Sequence, residues 1–293
     1  MNPNALEARD WRPLAAALLS ICLWSSAFVG IRAATRTISP GSLALGRLLI
    51  GTVLLGILLL RRGALRPSRR DIGLLFIAGP LWFALYNVAL NTAEKVVDAG
   101  TAAMVINIAP LMIMALAAIF LHEQLTSGLL IGGAVAFTGV IIMGVSTTSG
   151  NAPLWGVAVC VLATAASAAG LVAQKPVLAH LSALQVTWMC CAIGALCCLP
   201  YAPALVRDVR SAAPGDLAWM AYLGVFPTSV AFTTWAYALA RGTASRLATT
   251  AYLVPPITIL MSWLILGEVP RALAVLGGVL CLTGVIFARR KAT

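Results

Sequence analysis

Apolar residues run along this chain in long unbroken blocks. Ten of them, at about 13–32, 41–60, 71–92, 99–121, 127–146, 153–174, 183–203, 216–239, 246–266 and 272–288, are close to twenty residues long. A continuous apolar run of about 20 residues crosses the hydrocarbon core of a bilayer as a helix. The pattern therefore predicts an all-α integral membrane protein with ten transmembrane helices. The polar gaps are short and leave no segment for a soluble catalytic domain. Glycine- and proline-bearing blocks of this length are unlike barrel strands, whose faces alternate every second residue. The opening stretch MNPNALEARDWRPL precedes the first block with no small-residue cleavage site, which reads as an uncleaved first span.

Composition agrees. Of 293 residues, 61% are hydrophobic and 10% charged, against roughly 25% charged in a soluble domain. Mean hydropathy is +0.96. Folding alone cannot keep that much apolar surface from water, so lipid is the solvent. The net charge of +11 matters by its placement. With a cytoplasmic N-terminus and alternating spans, 13 basic residues fall inside and 6 outside, and Arg47 stays within a span. The loop RRGALRPSRR at 61–70 contributes most. The positive-inside rule then puts both termini in the cytoplasm. No folded basic domain is left to bind nucleic acid. The seven cysteines lie in apolar blocks with no CxxC pair, the pattern of small buried hydrophobes, and no metal site or other cofactor is expected.

The chain also repeats itself. GGAVAFTGVI at 132–141 returns as GGVLCLTGVI at 277–286. A shift of 145 residues, from Asp71 to Asp216, also aligns Gly79 with Gly224, Ala99 with Ala244, Ala103 with Ala248, Pro110 with Pro255 and Glu123 with Glu268. Upstream, a shift of 143 pairs Arg32 with Lys175 and Ser39 with Ser182. Two repeats, 13–146 and 153–288, thus carry five spans each. An odd number forces the second copy to enter the membrane in the opposite sense. Inverted repeats of this kind build secondary transporters, with substrate bound near the midplane between the halves.

The stretches AAMVINIAPLMIMALAAIFLHEQLTSGLLIGGAVAFTGVIIM and ATTAYLVPPITILMSWLILGEVPRALAVLGGVLCLTGVIF resemble the fourth and fifth helices of the EamA repeat. CLWSSAFVGIR is similar to its first helix and ALGRLLIGTVLL to its second, with Arg47 at the family's arginine. The resemblance covers nearly the whole chain. It implies a member of the drug/metabolite transporter superfamily, similar to YddG-type amino-acid exporters. It also implies a cavity surrounded by helices 1–4 and 6–9, with the fifth and tenth peripheral. The aromatic and His-rich stretch associated with aromatic-amino-acid exporters is not evident around 95–110.

Polar groups within spans are costly unless they face partners or water. Trp24, Ser25, Trp82, Tyr86, Asn87, Asn107, Gln174, Thr233 and Tyr252 are the candidate cavity residues; together they describe an amphipathic, uncharged lining. Asn107 and Tyr252 are repeat mates, each three residues before its proline. For Arg47, three readings are open: snorkelling to the interface, binding a substrate carboxylate, or pairing with Glu94 or Asp98. Lys175 reads as a snorkelling cation. Pro110, Pro255 and Pro256 are candidate hinges, a static kink being the other reading. Glu123 and Glu268 are expected to answer free N–H groups of helix first turns. The glycine-rich fifth and tenth spans read as packing faces, with a homodimer a further use for them.

All nine acids map to loops or span ends, so no carboxylate offers itself as a midplane proton carrier. The expected function is therefore export of amino acids or related small metabolites by alternating access, facilitative or by exchange. The alternative is a polyspecific exporter of drugs or toxic compounds. A channel is disfavoured by the inverted repeat. An intramembrane enzyme would need a nucleophile, base or metal set within the spans. His122 and His180 lie near span ends, and no HExxH or GxSxG occurs.

Overall fold

The computed structural model describes residues 11–60, 67–97, 102, 105–147, 153–266 and 271–289. Glu7, Arg9, Asp10, Arg61, Arg62, Arg66, Asp98, Ala99, Ala103, Glu268, Arg290 and Lys291, used in the charge, repeat and capping arguments, lie outside the described residues. Among the described residues every regular element is helical and none is a strand. Among the described residues eight helices are long and apolar enough to cross a membrane: Arg12–Ala34, Pro40–Leu59, Arg69–Ala93, Ser127–Ser146, Leu154–Val177, Ala183–Ser211, Pro214–Ala240 and Ala272–Arg289.

We name the elements in chain order. They begin with α1 (Arg12–Ala34), α2 (Pro40–Leu59), α3 (Arg69–Ala78), a π-helical segment Gly79–Leu85 and α4 (Tyr86–Ala93). The chain continues with α5 (Ala109–Phe120), α6 (Ser127–Thr147), α7 (Leu154–Val177), α8 (Ala183–Cys198) and, after a 3₁₀ turn, α9 (Ala202–Ser211). Next come α10 (Pro214–Leu223), a second π-helical segment Gly224–Val230, and α11 (Ala231–Ala240). The last are α12 (Ala244–Thr250), a 3₁₀ turn Ala251–Leu253, α13 (Val254–Leu266) and α14 (Ala272–Arg289).

Local chemistry sets the boundaries. Ser68 and Asp71 form a capping box at the start of α3, and Ser182 and Gln185 form one at α8. Ser39 caps the chain into α2 in extended conformation, one residue before Pro40. The apolar blocks at 99–121 and 246–266, expected as continuous spans, are interrupted. The described part of the first has a turn at Asn107 and Ile108 before α5, and the second has its 3₁₀ turn before α13. The reason is the prolines. Pro255 has no N–H to offer Ala251, whose carbonyl instead takes the N–H of Val254 in a tighter bond. Pro110 and Pro255 thus sit in the first turn of the helix that follows each break, where a missing N–H costs nothing.

Glycine sets how closely the helices approach. α6 and α14 pack through Gly132, Gly139, Gly277 and Gly284. A Cβ on Gly139 would lie 2.5 Å from the Gly277 carbonyl, and one on Gly277 would lie 2.6 Å from that of Gly139. The expected packing faces are therefore turned on each other, and a homodimer would have to use other surfaces. In the bundle centre a Cβ on Gly79 would be 2.9 Å from Ile193 of α8, and one on Gly224 would be 2.7 Å from Ile50 of α2. Both glycines open the π-helical segments.

Replacing Gly139 by Leu forces a side chain into the α6–α14 seam. It should lower stability in detergent by about 1–3 kcal/mol, as overpacking does. Gly73 in α3 has nothing within 4 Å of its missing Cβ, so Gly73→Ala should leave stability equal or raise it by up to about 1 kcal/mol. Parallel thermal unfolding of the two variants checks the pair. Equal melting points would contradict the close-packed seam.

Candidate functional site

A cleft opens in the bundle between α1, α2, α4 and α11. Its walls are Trp24, Ala27, Phe28 and Ile31 of α1, Arg47 of α2, Tyr86, Asn87 and Leu90 of α4, and Phe232 of α11. Its volume is about 30 Å³. That holds one or two water molecules and no metabolite, so a substrate enters only when the walls separate.

The two π-helical segments shape the cleft. A π turn replaces i→i−4 bonds by wider i→i−5 ones and redirects side chains, and such turns gather at functional sites. In the second segment, Pro227 withholds the N–H that the Leu223 carbonyl would accept. The Thr228 hydroxyl donates to that carbonyl instead, at 2.8 Å, and the Ser229 hydroxyl donates likewise to Gly224. With its proton committed, the Thr228 oxygen accepts from Arg47 Nε at 2.9 Å. The Pro227 carbonyl accepts from Trp24 Nε1 at 3.2 Å. One proline turn in the second half of the chain thus places the cation and an indole contributed by the first half. In the first segment, the Asn87 side-chain amide donates to the Phe83 carbonyl at 2.7 Å and, more weakly, to Trp82 at 3.4 Å.

These commitments decide which atoms remain. Arg47 is buried, and among the described residues its guanidinium has one bond, through Nε. The two terminal nitrogens are left for the cleft it lines. The Asn87 donors are spent, which leaves its carbonyl oxygen as an acceptor. The Tyr86 hydroxyl, also on the cleft wall, completes the polar set. No carboxylate is among the described lining residues. The cleft floor is aromatic: Trp24 packs 4.8 Å from Trp235 and 5.4 Å from Phe232, and Phe232 lies 5.0 Å from Trp82 and 4.4 Å from Phe83, centre to centre.

The structure thus brings Trp24, Arg47, Tyr86 and Asn87 together on one cleft and packs Trp82 behind its wall, against Trp24 and Phe232. The other expected cavity residues lie elsewhere. Ser25 donates to the Val254 carbonyl at 3.2 Å. Asn107 is buried at the break before α5. Gln174 donates to Cys190 Sγ, and its carbonyl oxygen is buried without a partner among the described residues. The Thr233 hydroxyl is also unpartnered. Tyr252 packs near Phe137 of α6, 6.3 Å between rings, with its hydroxyl buried and unpaired among the described residues. Phe232 was missed by sequence reasoning, although it is the repeat mate of Asn87. Thr228, which orients Arg47, stood out only as one hydroxyl among many.

Three ionic expectations change. Arg47 does not pair with Glu94. Glu94, just beyond the end of α4, faces Arg32 at 3.9 Å, and its second carboxylate oxygen has no partner among the described residues. Burial pushes this carboxyl up to about 7 against the opposing pull of Arg32. Glu123 caps a helix, but not the one that follows it. Its two oxygens accept the N–H groups of Ala244 and Ser245 at 2.6 and 2.9 Å, tying the end of α5 to the start of α12. Lys175 does not simply reach for the interface. Its ammonium donates to the carbonyls of Leu239 and Gly242 at the end of α11.

The model of the EamA-like transporter family matches residues 11–145 and again 154–290. The chain belongs to the EamA-like transporter family. Membership makes it a multi-pass membrane transporter of small molecules rather than an enzyme. A probable terminal-alkyne amino-acid exporter of Streptantibioticus cattleyicolor is 34% identical over 278 residues, covering 94% of this chain and 93% of that one. The uncharacterized transporter YdfC of Bacillus subtilis is 30% identical over 273 residues, covering 93% and 89%. An uncharacterized transporter of Archaeoglobus fulgidus is 28% identical over 286 residues, covering 97% and 99%. A crystal structure of another protein superposes with a TM-score of 0.78 at 21% identity, over 96% of this chain and 97% of that one. At that identity the likeness concerns the fold.

Thr228→Val deletes both the donor to Leu223 and the acceptor for Arg47. It should destabilise the protein by about 1–3 kcal/mol and lower transport efficiency by about tenfold, with Thr228→Ser close to wild type. Melting temperature and initial transport rates of the two variants check this. A Val variant as active as the Ser variant would show that the hydroxyl does not position the guanidinium.

Proposed function

We propose that this transporter exports amino acids or related small carboxylate-bearing metabolites across the bacterial inner membrane. The observation that carries the reading is Arg47, a buried guanidinium on the wall of a cleft, bonded among the described residues through Nε alone and with no carboxylate among the described lining residues. A buried cation without a counter-charge is expensive in a membrane. A substrate carboxylate supplies that charge and matches the planar fork in bidentate geometry. The Asn87 oxygen, the Tyr86 hydroxyl and the Trp24 face are suited to a substrate ammonium. The family relative named as an amino-acid exporter supports the same substrate class. The aromatic floor favours a polyspecific drug exporter as the second reading, but a fixed cation repels the cationic compounds such exporters often carry.

The architecture we infer is ten spans in two inverted repeats, 13–146 and 153–288, with both termini cytoplasmic. The double match of the family model supports it, as do the two π-helical segments 145 residues apart and the reciprocal contacts of Gly79 with Ile193 and Gly224 with Ile50. In this scheme the halves rock about the breaks before Pro110 and Pro255–Pro256. The closed cleft opens alternately to each side, and transport is facilitative or by exchange.

Arg47→Gln should lower the initial rate of amino-acid uptake into proteoliposomes by about 10–100-fold, the worth of a charged hydrogen bond. Arg47→Lys should recover only part of it, because an ammonium lacks the fork. Wild-type rates from the Gln variant, with the protein folded and inserted, would sink the assignment.

A further inference from the structure

Two carboxylates bridge the halves of the chain, one at each end of the bundle. At the first end, Glu123 leaves α5 and accepts the Ala244 and Ser245 N–H groups of α12 at 2.6 and 2.9 Å. Gly242 and Thr243 share a recess with Trp11 and Pro13, so this is the end where α1 starts. At the second end, where α1 finishes and α2 begins, Asp208 of α9 accepts the Ser39 N–H at 2.9 Å. Asp216 of α10 adds a bond from the Thr37 hydroxyl at 2.7 Å. The 23 residues of α1 separate the two ends by about 34 Å. The cleft meets α1 from Trp24 to Ile31, between the two bridges.

Neither bridge is the nearest bond on offer. To reach α12, the chain turns through His122 in left-handed backbone, φ 53°, where glycine is the usual residue. The Glu123 N–H closes that turn on the Ala117 carbonyl at 3.2 Å. On the other side of the turn that receives Glu123, the Lys175 ammonium holds the Leu239 and Gly242 carbonyls. Lys175, Leu239 and Gly242 all belong to the second half, so Glu123 joins that turn to the first. At the second end the comparison is with Ser182, the repeat mate of Ser39. The Ser182 N–H is served by Gln185 of its own helix at 2.9 Å. Ser42 stands at the equivalent place in α2, and the Ser39 N–H crosses to Asp208 instead. A helix start that the chain can cap locally is thus capped from the other half.

We propose that Glu123 and Asp208 are opposed latches: each carboxylate holds its own end of the bundle closed and releases its N–H partners when that end opens. The proposal rests on the alternating-access reading above. A carboxylate accepting backbone N–H groups makes charge-assisted bonds, among the stronger hydrogen bonds. When an end opens, water replaces both partners, so the net cost of release is small. The α6–α14 seam, made of glycine and carbonyl contacts, has no such substitute in lipid. Both latches are fastened here, in keeping with a cleft of about 30 Å³ between them.

The test reads access to the cleft from each face with a probe that is no substrate, so the amino-acid assignment can fail without touching it. Ala27, on the cleft wall, is replaced by Cys in the full chain. A charged, membrane-impermeant methanethiosulfonate is then applied to right-side-out and to inverted vesicles, and the chain without Ala27→Cys sets the background of its native cysteines. Glu123→Gln should speed modification about tenfold from the face where α1 starts, the worth of one charge-assisted bond, and leave the other face unchanged or slower. Asp208→Asn should do the same from the opposite face. His122→Gly keeps the turn and should match the parent. Elution as a single species in detergent confirms folding, and the two latches are separate arms, so either one decides if the other variant does not fold. Rates equal to the parent in both variants, with the parent reactive from each face, would overturn the latches and leave alternating access standing. Faster modification from both faces in either variant would overturn them as well, by showing a general loosening. A parent reactive from one face alone would overturn alternating access and the latches together.

Discussion

In a lipid-solvated bundle every polar group must find its partner inside the protein. One hydrogen bond concentrates the consequences of that constraint: Arg47 Nε to the hydroxyl of Thr228. The threonine accepts because its own proton is committed to Leu223, and Leu223 is free to accept because Pro227 has no N–H. A missing donor in the backbone of one half thereby fixes the direction of a cation from the other half. The same turn holds the Trp24 indole through the Pro227 carbonyl. The cleft's charge, its aromatic wall and the meeting of the two halves all follow from a single proline-induced π turn.

The close-packed surroundings make that arrangement rigid where it needs to be. Glycines at 79 and 224 let the π-helical segments press against Ile193 and Ile50, while Gly51 and Gly194 receive Thr228 and Phe83. Away from the centre, α6 and α14 are joined by a glycine seam with carbonyls in near contact. Such seams are what association of helices in lipid depends on, since apolar side chains gain little by leaving the lipid for one another. In the rocking scheme proposed above, bending falls at the breaks before α5 and α13, where prolines have already removed the bonds that bending would break.

Much of this was legible in the sequence. Twenty-residue apolar blocks announced an all-helical membrane protein, and the 145-residue register led to the proposed repeats. Trp24, Arg47, Tyr86 and Asn87 stood out because polar groups in such blocks need a reason. Tyr252 stood out for the same reason, yet it packs beside Phe137, because facing direction is set by helix rotation and not by residue type. Phe232 is apolar among apolar neighbours and gave no signal except through its repeat mate. The bonds of Glu123 to α12, and of Lys175 to the end of α11, join segments more than sixty residues apart. Local capping rules point to the nearest helix, so they name the right chemistry and the wrong partner.

The central claim is that Arg47 receives the carboxylate of the substrate. Its most direct test changes the substrate and not the protein. Labelled amino acids would be loaded into proteoliposomes and exchanged against unlabelled amino acids, their decarboxylated amines and their amides. If the claim holds, only compounds with a free carboxylate drive exchange, whether or not a pH gradient is imposed. Equal exchange by the amines would contradict it and would assign the cleft to cationic compounds.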